Sequence, residues 1–159
     1  MLSFGGTKNG CLAAEAIVFF DTALAQDFAY LHKRSGQLLS KMRFIAAQLQ
    51  AYLHGGVWLR NARQANAMAA RLSAGLAALP GIELAYPTQS NEVFVRLPAT
   101  VLEGLQAEGI AVNGGELDGS AERFVAAWNT STVEVDNLLG AIARYCADSR
   151  QGEGDHASD

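Results

Sequence analysis

The spacing of apolar residues changes at Pro80 and Gly81, and this change governs what the chain can fold into. Before it, Ala65, Met68, Leu72, Leu76 and Leu79 recur every three or four residues, one stripe of a helix over residues 58–79. Proline followed by glycine stops that helix. Beyond it the period is two. Ile82, Leu84 and Tyr86 line one face of a strand, and Val93, Val95 and Leu97 line one face of another. Pro98 opens a short helix and Gly109 closes it. Residues 110–112 (IAV) read as a short strand and residues 122–128 (ERFVAAW) as a longer one. Ser131 and Glu134 have capping-box spacing and start a last helix, with Leu138, Leu139, Ile142 and Tyr145 as its buried stripe. The order β-β-α-β-β-α predicts a small α+β domain with helices on one face of a largely antiparallel sheet.

The first third of the chain does not belong to that pattern. Residues 2–4 read as a strand end, Gly5 to Gly10 as a turn, and residues 15–20 (EAIVFF) as a buried strand. Leu24, Phe28 and Leu31 predict a helix over 22–34, which Gly36 breaks. Leu38, Met42, Ile45, Leu49 and Leu53 predict another over 38–54, ended by His54, Gly55 and Gly56. The expected organisation is therefore residues 1–20 as the last strands of a larger domain and 21–57 as a helical connecting or interface segment. Residues 58–148 form the small domain, and 149–159 a polar, disordered tail.

Half of the 159 residues are apolar and the net charge is −4. Acidic and basic residues are interspersed, without a basic stripe, so nucleic acid is not an expected partner. Charges interrupt every apolar stretch before membrane-spanning length, and residues 1–10 lack the layout of a signal peptide. Cys11 and Cys146 lie far apart and suit reduced core thiols of a cytoplasmic protein. The three histidines (His32, His54 and His156) share no metal-ligand spacing with acids or cysteines, so no metal is expected.

Lys8 sits among Gly5, Gly6 and Gly10. A phosphate-loop reading fails, because Asn9 and Gly10 follow the lysine where a Ser or Thr opening a helix is required. A lysine in such a turn is either simply solvated or a Schiff-base nucleophile. The second role needs small neighbours that let a flat cofactor approach, and partial burial would lower the pKa of the amine. The hydroxyls of Ser3 and Thr7 are candidate donors to a phosphate or a ring oxygen.

Four stretches, LSFGGTKNG, EAIVFF, GQLLSKMRFIAAQ and WLRNARQANAMAARL, closely resemble the low-specificity L-threonine aldolases, pyridoxal-phosphate enzymes of the type I (aspartate-aminotransferase) fold. The resemblance runs from residue 2 to about 148. It implies an α/β type I fold, of which this chain is the C-terminal small domain plus remnant strands of the large domain. It also implies that Lys8 carries pyridoxal 5'-phosphate as a Schiff base, with Thr7 and Arg43 near the cofactor. Arg123 would grip the substrate carboxylate, as a guanidinium fork does. The family's residues between this arginine and the tryptophan are bulkier than Val125, Ala126 and Ala127. Without the resemblance, Arg123 reads as an ion-pair partner of Glu122 or a nearby acid, and Arg43 as a solvated helix residue. Arg96 reads as an outward strand residue and His54 as a helix end.

The implied reaction is retro-aldol cleavage of a β-hydroxy-α-amino acid, L-threonine or L-allo-threonine, to glycine and an aldehyde. An amino-acid substrate and a homo-oligomer, dimer or tetramer, follow from the same resemblance. In the family the ring that stacks on the cofactor, the acid that pairs with the pyridine nitrogen and the main phosphate loop precede the lysine. Here the chain begins directly before it, so the expectation is little or no aldolase activity for this polypeptide alone. Two alternatives stay open: another type I enzyme, such as an aminotransferase or β-eliminating lyase, and a non-catalytic domain that binds a partner.

Overall fold

The computed structural model describes residues 1–114 and 121–155 and falls into two compact units, Met1–Ala62 and a second that begins at Arg63. In unit 1, β1 (Leu2–Gly5) and β2 (Glu15–Val18) form an antiparallel hairpin with Leu2 opposite Val18 and Gly5 opposite Glu15. A 3-10 turn, Thr7–Asn9, lies between them. Then come α1 (Phe28–Arg34) and α2 (Met42–Leu53), a 3-10 turn at His54–Gly56, and the start of α3 (Val57–Ala77), within which the two units divide.

Two helical expectations are shortened. Residues 22–34 are not one helix: the Asp21 carboxylate accepts from the Ala23 amide and caps a separate 3-10 turn, Thr22–Ala25, before α1. Residues 38–41 stay outside α2. Leu38 and Leu39 are about half exposed and have no packing surface to reward a helix, and helical stability comes mostly from such packing. The run 15–20, read as a buried strand, is also exposed. Its sheet has two strands, and Ile17 and Phe20 are 47% and 76% exposed.

Unit 2 carries the antiparallel sheet the alternation predicts. Its order is β3-β4-β6-β5, from β3 (Glu83–Leu84), β4 (Glu92–Arg96), β5 (Asn113–Gly114) and β6 (Glu122–Val125). Val93 stands opposite Phe124, and both are buried on the face covered by helices. There they join Met68, Leu72 and Leu76 of α3, Val101 and Leu105 of α4 (Ala99–Ala107), and Val135 and Ile142 of α5 (Thr132–Asp155). Each such side chain withdrawn from water contributes about 1.5–3 kcal/mol before entropy is set against it. The capping box forms as read: Ser131 Oγ accepts from the Glu134 amide at 3.2 Å, and the Glu134 carboxylate accepts from the Ser131 amide at 2.7 Å.

Three expectations in this unit need correction, and the first is the strand read over 122–128, which ends at Val125. Residues 110–112 are not a strand. The Ile110 amide donates to the Leu105 carbonyl at 2.9 Å, closing α4 beyond Gly109, and Ile110 and Val112 pack beside the core. Pairing with β6 starts only at Asn113. The tail expected from 149 is helical as far as Asp155, because extending a nucleated helix fixes one residue per hydrogen bond gained. Residues 156–159, including His156, lie outside the described residues.

Candidate active site

Lys8 is the middle residue of the Thr7–Asn9 turn, and the turn is tightly specified. The Gly6 carbonyl accepts from the amides of both Asn9 and Cys11 at 3.0 Å, and the Gly6 amide donates to the Ala14 carbonyl at 2.7 Å. A Cβ on Gly6 would stand 2.6 Å from Cys11 Sγ, so only glycine fits. Gly10 takes φ of 108°, a left-handed conformation that ends the turn. Lys8 itself is exposed, and its Nζ has no hydrogen-bond or ion-pair partner among the described residues. The partial burial expected of a nucleophilic lysine is therefore absent in this chain; the amine faces water.

The scaffold behind the turn comes from residues far along the sequence. Asn9 Nδ2 donates to the Tyr52 hydroxyl and to the Trp58 carbonyl, the latter at 3.0 Å, and Asn61 Nδ2 donates to the Asn9 carbonyl at 2.8 Å. The Phe4 ring lies 5.9 Å from both the Tyr52 and the Trp58 rings. Farther along the loop, Gln48 Oε1 accepts from the Leu12 and Ala13 amides. Asn9, Gln48, Tyr52 and Asn61 were not singled out from sequence. Their partners lie dozens of residues away, and no local spacing signals such pairs.

Thr7 is drawn into the loop. Its Oγ1 accepts from the Ala14 amide at 3.2 Å, and its own amide donates to Glu15 Oε1 at 3.3 Å. The hydroxyl hydrogen has no acceptor among the described residues. Thr7 lines a cleft of about 1130 Å³ in unit 1, together with Ser3, Glu15, His32, Arg34 and Arg43. Arg43 stands in the first turn of α2, exposed, with its guanidinium 4.8 Å from the Phe44 ring centroid. Thr7 and Arg43 thus share one cleft, whereas Lys8 is beside its lining rather than part of it. Cys11, expected in the core, is partly exposed; burial and then Glu15 push its thiol pKa up, which keeps it protonated. Cys146 is buried as expected.

Arg123 belongs to unit 2. It lies on β6 opposite Phe94, on the face of the sheet turned away from the helices. Its acid partner is Glu92 rather than Glu122, with NH1 3.4 Å from Glu92 Oε1. Among the described residues Arg123 Nε is buried without a hydrogen-bond partner. The guanidinium is therefore loosely held along one edge, and its side chain is 30% exposed. Arg96, read as outward, pairs with Glu83 at 2.8 Å, and His54 ends α2 as read. Among the described residues no group of three or more His, Cys, Asp or Glu is placed to hold a metal. Nor is any of the described helices long and apolar enough to cross a membrane.

No protein-family model matches the chain. The structure of a threonine aldolase from Leishmania major superposes with a TM-score of 0.81 at 28% identity, covering 91% of this chain and 42% of that one. Catharanthus roseus tryptophan decarboxylase (TM-score 0.54, 18% identity) covers 63% of this chain and 25% of its own. Sphingomonas wittichii serine palmitoyltransferase (0.52, 21%) covers 64% and 27%. The chain has part of the type I pyridoxal-phosphate fold. Within that fold its sequence is similar to the low specificity L-threonine aldolases of a Pseudomonas species and of Pseudomonas aeruginosa, each 43% identical over 142 residues, 89% of this chain. The chain spans 41% of the length of these relatives.

Proposed function

We propose that this chain supplies the cofactor-bearing lysine and the carboxylate-binding arginine of a pyridoxal-phosphate-dependent aldehyde-lyase. Its substrates are β-hydroxy-α-amino acids such as L-threonine and L-allo-threonine, cleaved to glycine and an aldehyde. The observation that carries the reading is the Lys8 turn: an exposed amine with no hydrogen-bond or ion-pair partner among the described residues, on a backbone fixed from both sides. The residues fit the cofactor. A Schiff base needs an accessible primary amine, which Lys8 offers, and Thr7 Oγ1 keeps a hydrogen for a phosphate or ring oxygen while its lone pair holds Ala14.

When bound, pyridoxal phosphate supplies the electron sink that makes a Cα–Cβ bond breakable. The rest falls to the chain. Lys8 Nζ must lose its proton to attack a carbonyl carbon, and it returns as nucleophile when product leaves. Arg123 presents NH1 and NH2 to the substrate carboxylate as a fork, and fixing that group sets which Cα bond is aligned for cleavage. The long Glu92 contact gives way to a better acceptor at little cost. Arg43 adds positive charge to the cleft that Thr7 lines, suited to a phosphate. A cytoplasmic homo-oligomer, dimer or tetramer, is the assembly we assign to it.

The test is to add pyridoxal phosphate to the purified chain, reduce with borohydride and map the adducts by mass spectrometry. Labelling of Lys8 well above Lys33 and Lys41 is expected; uniform labelling would falsify the reading. The chain spans less than half of its relatives, so threonine cleavage by the 159 residues alone is expected to stay near that of free pyridoxal phosphate. In a complete enzyme the products discriminate: glycine plus aldehyde for this reading, and a keto acid, or pyruvate with ammonia, for a transaminase or β-eliminating relative.

A further inference from the structure

We propose that Asn9 is the positioning residue of Lys8, acting through Tyr52, Trp58 and Asn61. This rests on the aldolase reading of Lys8 and adds what holds its amine in place. Among the described residues the Lys8 side chain makes no hydrogen bond or ion pair, so the backbone on either side decides where its amine can reach. On the upstream side Gly6 is tied to Ala14. On the downstream side the work falls to Asn9, whose groups are used in three directions. One Nδ2 hydrogen goes to the Tyr52 hydroxyl, the other to the Trp58 carbonyl, and the Asn9 carbonyl accepts from Asn61.

The chemistry at position 9 is strict. The Trp58 carbonyl can only accept, so the group facing it must be the NH2 end of the amide. An aspartate of the same shape would set oxygen against oxygen. Tyr52 is 5% exposed, and Phe4 packs on it and on Trp58. The anchor is therefore partly screened from water, where hydrogen bonds hold geometry more stiffly. Anchoring the neighbour, rather than the lysine, leaves the amine free to swing while its root stays still. A nucleophile that must meet a carbonyl and later release it needs that combination.

The experiment compares the full chain with Asn9→Asp, Asn61→Ala and Tyr52→Phe, the last keeping the ring that packs on Phe4. Each is treated with pyridoxal phosphate and borohydride, and the yield at Lys8 is divided by the yields at Lys33 and Lys41. Amide hydrogen exchange at Asn9 and Cys11 is followed in parallel. The ratio is expected to fall about tenfold in Asn9→Asp and about threefold in Tyr52→Phe, the loss of two donors and of one acceptor. Exchange should quicken at both amides while circular dichroism and the unfolding midpoint hold in Tyr52→Phe. A purely structural role would move the midpoint and leave the ratio alone. Ratios equal to wild type in all three variants overturn the assignment and leave the aldolase reading standing. Unselective labelling of the wild type overturns both.

Discussion

Unit 2 buries most of its large apolar side chains wholly or in part, and unit 1 displays most of its own. Leu76, Val95, Val101, Leu105 and Ile142 have no exposed surface, whereas Leu12, Phe20 and Tyr30 are 88%, 76% and 80% exposed. Among the described residues of unit 1, the buried apolar side chains are Ala14 and Tyr52. Yet unit 1 holds a turn fixed by several directed contacts, Thr7–Asn9. Order at the lysine comes from directed hydrogen bonds and glycine geometry. Order in unit 2 comes from area removed from water. Local precision and bulk burial are separable, and here they have been separated.

The contrast can be tested from both sides. The largest expected effect is chemical: Lys8→Ala removes the borohydride-trapped adduct at position 8 altogether, with the melting of unit 2 unchanged by calorimetry. Next is Leu76→Ala, which should cost about 2–5 kcal/mol in denaturant unfolding, the range for a fully buried leucine. The matching change on the exposed side, Leu12→Ala, should stay within about 0.5 kcal/mol. Equal costs for the two would break the comparison. Arg123→Lys keeps the charge and loses the fork. In an active parent enzyme it should weaken substrate binding by about tenfold, with unit 2 stability little changed. Ser131→Ala removes one half of the capping box and should cost about 1 kcal/mol, read as a lower unfolding midpoint.

The smallest effect is on acidification. Glu108 is held below the usual carboxylate range by Tyr145 and then Arg144, Glu134 by the Ser131 amide and then its hydroxyl, and Asp136 by Arg71. A lowered folded-state pKa means the native state holds fewer protons than the unfolded chain. The stabilisation is therefore complete above the ordinary carboxylate range and lost as pH falls through the lowered values. All three groups are exposed, so the loss is modest and salt should shrink it. Thermal melts of unit 2 across that acid range, at low and high salt, would show it; a midpoint that rises on acidification would contradict it.

Much of unit 2 was legible because its signals are local. The stripe from Met68 to Leu76, the alternation of Val93 and Val95, and the Ser131 and Glu134 pair each declare a period or a cap within a few residues. Ile110 to Val112 misled because three apolar residues after a helix serve equally as its closing wrap. Residues 15–20 misled differently: an apolar run states that a strand would be covered if a cover were present, not that one is. At the site, glycines drew attention to Lys8 and the family resemblance to Arg123. Glu92, which lies 31 residues before the arginine it touches, and Asn61, which lies 52 after Asn9, are visible only when strands and helices bring them together.

The anchoring of Asn9 also sets an order in time. Its partners stand 43, 49 and 52 residues downstream. During synthesis Lys8 leaves the ribosome well before Asn61 does, so the last bond that steadies its turn waits for Asn61, and loops of that length must close first. The Lys8 turn is therefore made before the partners that steady it, and it gains its final order only once the chain has been built through residue 61.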